Sequence, residues 1–395
     1  MPVFHQMGHH SNNLVDLPEM SAYAGAIFSP INYGEAEMAE DIQEVRATRP
    51  QLEIVFDPQL YVPATDRGKL KNWRYFRQDV DTADLSSIPW WTGVNQDIVQ
   101  SCQTLEVNAV CSPAVIPKVF DDRFYAQHTR VGSELTALFK STGISVLQTV
   151  VANMAELAVD NRPLEIASIV SGTDADRAFL VFVGSMQPRR EFNAVDELKG
   201  AMRLINALER NGVPVVVGFC SSELILWKAA GATSCASGKF FNLRRFTRQR
   251  FEEPTDETGG GQLPYWFEEG LLAFLRQGDL GRVRRQGLLS EASGRNPFCQ
   301  QVLALLDNAA TTGTKPKWLA LAWRQFLYWF CDAEGRITRG EVTPATLLEM
   351  ADANWTKLDQ ARVLMEERPN DGAWIRSWLN ALREYGSDIA RSARA

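Results

Sequence analysis

The chain has 395 residues, 45% of them hydrophobic and 23% charged, with a formal net charge of −7. That is ordinary for a globular protein and too acidic for a general nucleic-acid binder, whose whole surface would be basic. No run of 18 apolar residues exists, which argues against a membrane-spanning helix.

At this length a single core has usually stopped growing, unless the fold is an α/β barrel with additions. From the start to about residue 250, short apolar runs recur with room for a helix between them. They are PVFHQM (2–7), SAYAGAIFSP (21–30), QLEIVFDP (51–58) and EVNAVCSP (106–113). ISVLQTVV (144–151), RAFLVFVGS (177–185), VPVVVGFC (213–220) and ATSCASG (232–238) continue the series. Several are apolar on both faces, as strands buried in a parallel sheet are. GEAEMAEDIQEVRATR (34–49) predicts a helix, with acidic residues early and Arg late to match the helix dipole. NAVDELKGAMRLINALERNG (193–212) predicts another, with an apolar stripe and Gly212 as its stop. SSELILWKAAG (221–231) predicts a third, opening on a Ser cap.

Eight strands alternating with helices predict a (β/α)8 TIM-like barrel over residues 1–250. A doubly wound sheet is the competing form, and it would show a Gly-rich fingerprint after an early strand, which is absent. Residues 61–105 exceed a usual loop and read as an excursion over one barrel end. EEPTDETGGGQ (252–262) reads as a flexible linker. Beyond it, 263–395 predicts an all-helical region packed on the barrel, with helices over 263–289, 299–310, 315–335, 343–369 and 371–386. Seven of the eleven Trp lie in that part, at spacings that suit core stripes or a partner interface.

Barrel enzymes carry their chemistry at the C-terminal strand ends and often hold phosphate on the last two loops. Asp57, at the third strand end, is the candidate acid/base or nucleophile, with Gln59 and Tyr61 as possible contacts on the same loop. The bland alternative is an Asp-Pro turn. His5, ending the first strand, is its candidate partner. The anion-binding candidates at the last ends are Ser237, Gly238, Lys239, Arg244 and Arg245, with Ser222 at a helix start. Ser185, Gln187 and Arg189 follow the sixth strand, and Gln148 lies in the fifth. The alternative for the arginines is a solvated basic face. The three histidines near the start lack an H-x-H pair and the six cysteines lack ligand spacing, so no metal site is expected. No cofactor motif is legible.

Scattered cysteines and no apolar leader in MPVFHQMGHHSNNLVD suggest a cytoplasmic protein. The leading expectation is a barrel enzyme acting on a phosphate-bearing small molecule or nucleotide, by glycosyl-transfer, lyase or isomerase chemistry. A second is a nucleic-acid-acting enzyme, with 239–250 and Arg282, Arg284 and Arg285 as a basic track. The general plan is similar to several barrel enzyme groups, among them the tRNA-guanine transglycosylases. Their zinc-binding cysteine pattern is absent, so the resemblance assigns no residue. A third expectation is a non-catalytic subunit that binds a protein partner through its Trp-rich helices. A homo-oligomer also stays open.

Overall fold

A computed structural model describes residues 3–63, 65, 68–77, 85–185, 189–251, 262–367 and 370–392. Eight parallel strands close into a barrel in chain order: β1 (Val3–Gln6), β2 (Tyr23–Phe28), β3 (Glu53–Phe56), β4 (Ala109–Cys111), β5 (Ser145–Asn153), β6 (Arg177–Val183), β7 (Val215–Val217) and β8 (Ser234–Ser237). The closing pair sets Phe4 against Ala236 and His5 against Ser237. Each strand lies on one of the apolar runs read from the sequence, because runs apolar on both faces are what a parallel sheet under helices requires.

The helices of the barrel half are α1 (Asn12–Val15), α2 (Glu35–Thr48), α3 (Ile88–Leu105), α4 (Asp122–Phe139), α5 (Met154–Leu157), α6 (Arg162–Val170), α7 (Val195–Arg210) and α8 (Leu224–Ala229). On α7 the apolar stripe Leu198, Met202, Ile205 and Leu208 is buried, and Gly212 follows at φ 80°. Two expectations for the barrel half need correction. The excursion is shorter than 61–105, since Ile88–Leu105 is the helix after β3 with Pro89 in its first turn. The predicted Ser cap of α8 does not form either. Glu223 occupies the cap position, with no side-chain cap bond.

Alternation along the strands sets the barrel interior. Arg177 on β6 pairs with Glu53 on β3, and these strands are not neighbours, so both side chains point inward. The Phe4 ring lies under the Arg177 guanidinium, 6.0 Å from it, and so also points inward. Every second residue from these points into the barrel.

The α5–α7 contact is close enough to forbid a side chain. A Cβ on Gly200 would lie 1.8 Å from the Leu157 carbonyl oxygen. Helix propensity favours Ala over Gly by about 1 kcal/mol, but overpacking against a backbone atom costs about 1–3 kcal/mol or more. Gly200→Ala is therefore expected to destabilise by about 2 kcal/mol in denaturant unfolding, and an unchanged or raised midpoint would show that the two helices can part freely.

After the barrel come a two-stranded antiparallel hairpin, β9 (Trp266–Glu268) and β10 (Ala273–Leu275), and helices α9 (Gln277–Arg285), α10 (Pro297–Thr312), α11 (Leu319–Thr338), α12 (Pro344–Gln360) and α13 (Ala373–Ser392). The hairpin corrects the helix expected over 263–289, of which only the last part is helical. Glu268 holds its turn, accepting from Trp266 Nε1, Gly270 N and Ser290 N. The expected linker lies almost wholly at 252–261, outside the described residues.

The helical region is packed onto the barrel through specific contacts. Lys228 on α8 and Glu334 on α11 form a buried ion pair at 2.8 Å. Trp378 Nε1 donates to the Phe192 carbonyl at 2.7 Å, and Tyr23 OH donates to the Leu327 carbonyl at 3.0 Å. Trp318, Trp329, Trp355, Trp374 and Trp378 are all buried, so these rings serve packing within the chain.

Candidate active site at the barrel mouth

Asp57 follows β3 and extends its ladder by donating its N–H to the Phe28 carbonyl at 2.9 Å. Two residues beyond Val55 and four beyond Glu53, it points into the C-terminal mouth of the barrel. The carboxyl is 1% exposed. Gln59 donates to it from its backbone N–H at 3.1 Å and its side-chain amide at 3.3 Å, and Tyr61 OH lies 3.2 Å from both oxygens. Burial raises its pKa from an ordinary 3.8 to about 6, against the opposing pull of these donors and of Arg250.

Arg250 comes from the segment after β8. It is 5% exposed, and its Nη2 reaches Ser29 Oγ at the end of β2 at 3.4 Å. The same segment brings Phe246 and Phe251 over Tyr61, with ring centroids 5.1 and 6.0 Å away. Phe219, after β7, completes the cluster at 5.2 Å from Phe246. The mouth is thus roofed by aromatic rings around one carboxyl and one guanidinium.

Two residues here sit in a backbone region that suits glycine. Gln59 has φ 51° and Phe219 has φ 53°. A bulky residue in that region is uncommon and costs on the order of 1 kcal/mol. Phe219 is held there partly by donating its N–H to the inward-pointing Gln6 Oε1 at 2.6 Å. Strain on the loops of both β3 and β7 meets at the same mouth, as it does in sites built to fixed geometry.

The other candidates are placed elsewhere, and several need correction. His5 is one residue from inward Phe4 and Gln6, so it faces outward, packing edge-on against Tyr23. Burial, then Lys239 and Arg244, lower its pKa to about 3, which leaves it neutral and unsuited as a proton partner near pH 7. Ser237 pairs with His5 and shares its outward face. Gly238 is small for packing, since a Cβ there would lie 2.6 Å from Leu243 and 2.7 Å from the Gln6 carbonyl oxygen. Gln148 also faces outward, donating to the His128 carbonyl of α4 at 3.1 Å.

The basic run is committed inside the protein. Lys239 donates to the carbonyls of His9 and His10 and lies 4.8 Å from the Trp323 ring, with burial lowering its pKa to about 8. Arg244 donates to the carbonyls of Gly238 and Lys239 and stacks over Phe326 at 3.8 Å. Arg245 pairs with Glu191 at 2.9 Å and Glu223 at 3.3 Å, over the Phe192 ring. Ser222 is buried, and its neighbour Glu223 belongs to that cluster. The expected phosphate cradle is therefore not assembled from these groups. Ser185 is exposed beyond β6, Gln187 lies outside the described residues, and Arg189 lies in an outer groove beside Tyr265. Two of the three arginines in the second basic cluster are paired too: Arg282 with Asp279 at 2.7 Å, and Arg284 with both oxygens of Asp307.

Ser29, Phe219 and Phe251 had no place among the sequence candidates, and Arg250 and Phe246 stood there only within the 239–250 basic track, not at the mouth. The one signal was the interleaving of Phe with Arg in RRFTRQRF, which resembles a surface run until the chain folds back over the mouth.

Among the described residues, no cluster of His, Cys, Asp or Glu could hold a metal ion. No family model matches the chain, and no curated protein matches it. Solved structures similar to it include N-(5'-phosphoribosyl)anthranilate isomerase from Pyrococcus furiosus, at 10% identity and TM-score 0.34, covering 64% of this chain and 96% of that one. The tryptophan synthase complex of the same organism gives 14% identity and TM-score 0.36, over 60% and 87%. A mutant O-GlcNAc hydrolase from Thermobaculum terrenum gives 11% and 0.36, over 99% and 95%. Likenesses this distant carry no chemistry, and the barrel itself rests on the closed strand pairing of the chain.

Proposed function

We propose that this chain is a barrel enzyme whose reacting group is Asp57, acting on a small molecule that has a flat ring and an anionic group. The dehydrated, inward-pointing carboxyl at the mouth carries this reading. A carboxyl whose pKa is about 6 can both take and return a proton near neutral pH, which an ordinary aspartate does poorly. Tyr61 orients it, and the rings of Phe219, Phe246 and Phe251 offer stacking surfaces for a base or similar ring. Arg250 answers the charge of a phosphate or carboxylate. A nucleotide or other phosphate-bearing small molecule fits this set, with one guanidinium in place of the multi-residue cradle. Substrate entry requires the segment carrying Phe246, Arg250 and Phe251 to swing away from Tyr61, as lids over barrel mouths do.

A second reading has one observation in its favour. Both Asp57 oxygens already accept hydrogen bonds within the protein and the mouth is filled, which suits a non-catalytic barrel that binds a partner by another surface. Melting curves with a panel of nucleoside monophosphates, ribose 5-phosphate and free nucleobases separate the two. Enzyme function predicts stabilisation by at least one compound, worth about 2.7 kcal/mol at a hundredfold excess over Kd. Arg250→Gln should lose the response to the phosphorylated members and keep that to the bare ring. No shift with any compound would favour the non-catalytic barrel.

A further inference from the structure

Away from the mouth, we infer that a second site binds an oxyanion, a phosphate or carboxylate group, between the loop after β6 and the first turn of α13. A cavity of about 40 Å³ opens there, room for about three water molecules or one small anion. Arg189 and Arg190 form one wall, Phe241 and Phe274 another, and Trp374 closes it.

The polar groups on these walls favour a negative guest. Trp374 is 7% exposed, and its Nε1 has no hydrogen-bond partner within the protein. A buried indole N–H left without an acceptor costs about 1–3 kcal/mol, and an oxyanion in the cavity would supply one. Arg190 makes no ion pair among the described residues, and it lines the same space. Glu367 is a single carboxylate shared by Arg276 at 2.8 Å, Arg189 at 3.4 Å and Tyr265 OH at 2.8 Å, so the surrounding charge remains positive. The one other carboxylate on the wall, Glu191, is turned to Arg245. Trp374 also stands in the first turn of the twenty-residue α13, where the helix dipole favours an anion. The aromatic walls would leave the anion little competition from bulk water.

The test compares sodium phosphate and sodium acetate with sodium chloride at matched ionic strength, on wild type, Trp374→Phe and Arg190→Gln. Apparent Kd comes from the melting shift against anion concentration. Wild type should be stabilised by phosphate, acetate or both beyond the chloride effect, and the stronger of the two identifies the oxyanion. Each variant should lose about tenfold in affinity, as expected for one charge-assisted hydrogen bond. Trp374→Phe keeps an aromatic side chain but removes the donor together with the pyrrole part of the indole, so its result is read beside that of Arg190→Gln. Arg190→Gln changes a half-buried side chain outside any helix or strand and carries the test if Trp374→Phe fails to fold. A wild-type response no larger than that to chloride, or equal affinities in wild type and the folded variants, overturns the site. Neither result depends on Asp57 or on ligands of the mouth.

Discussion

Arg245→Ala should be among the most destabilising single changes in this chain, costing about 3–5 kcal/mol in denaturant unfolding. Its guanidinium is 2% exposed and sits between two buried carboxylates, Glu191 after β6 and Glu223 after β7. Removing it leaves both without a counter-charge in a dry site, which is the costly way to break a buried ion pair. The magnitude should depend on pH. Burial, opposed by Arg245, raises the pKa of Glu191 to about 7, and burial also raises that of Glu223. A carboxyl whose folded pKa lies above its unfolded value favours folding while it is protonated, and that contribution is lost as pH rises through the folded pKa. Without Arg245 both values rise further, so the loss should be smaller near pH 5 and larger near pH 8. Glu223→Gln should return part of the stability lost in Arg245→Ala, because the second charge then no longer has to be buried. An equal cost at both pH values, with no rescue by Glu223→Gln, would show that Arg245 acts by packing on Phe192 alone.

The same residue illustrates why a barrel was legible where its site was not. Strands such as LVFV at 180–183 and VVV at 215–217 advertise burial on both faces through their own composition, with no knowledge of partners needed. The strand-end position of Asp57 was legible for a related reason, as a carboxylate ending an apolar run. The fate of a positive charge is a tertiary fact. Lys239, Arg244 and Arg245 stand within seven residues, and they are bound respectively by loop carbonyls, by carbonyls and a phenyl ring, and by two carboxylates from other loops. Nothing local distinguishes these outcomes from a phosphate cradle. The direction of His5 was likewise hidden until the Arg177–Glu53 pair fixed which residues of each strand point inward. LPYWFEEGLLAFL failed differently. Its apolar residues suit a helix, but Glu268 folds it back by accepting the Gly270 and Ser290 N–H groups, a tertiary choice that overrides propensity.

Asp57→Asn provides the second large effect, and its sign separates a working carboxyl from a structural one. In the folded chain the pKa of Asp57 is about 6, against an ordinary 3.8, with burial as the leading cause. Two units correspond to about 3 kcal/mol of preference for the neutral form. The folded state therefore holds this proton more tightly than the unfolded chain. Its stabilising contribution is complete below about pH 4 and is lost as pH rises through about 6. At pH 8 wild type carries the full penalty of an ionised buried carboxylate, and the amide variant carries none. Losing the carboxylate's bonds from Tyr61 and Gln59 costs about 1–1.5 kcal/mol, so the variant should be about 1–2 kcal/mol more stable at pH 8. At pH 4 it should be no more stable than wild type. A salt-bridged structural aspartate gives the opposite result, with a depressed pKa and a variant that is least stable at high pH. Denaturant unfolding of both proteins from pH 4 to pH 8 decides the matter. A difference that grows with pH in favour of the amide variant would mark a site where stability is given up for chemistry, and the same substitution should abolish turnover of any ligand found at the mouth. A flat difference, or one that grows in favour of wild type, would reduce the carboxyl to a turn-holding group for Gln59 and Tyr61.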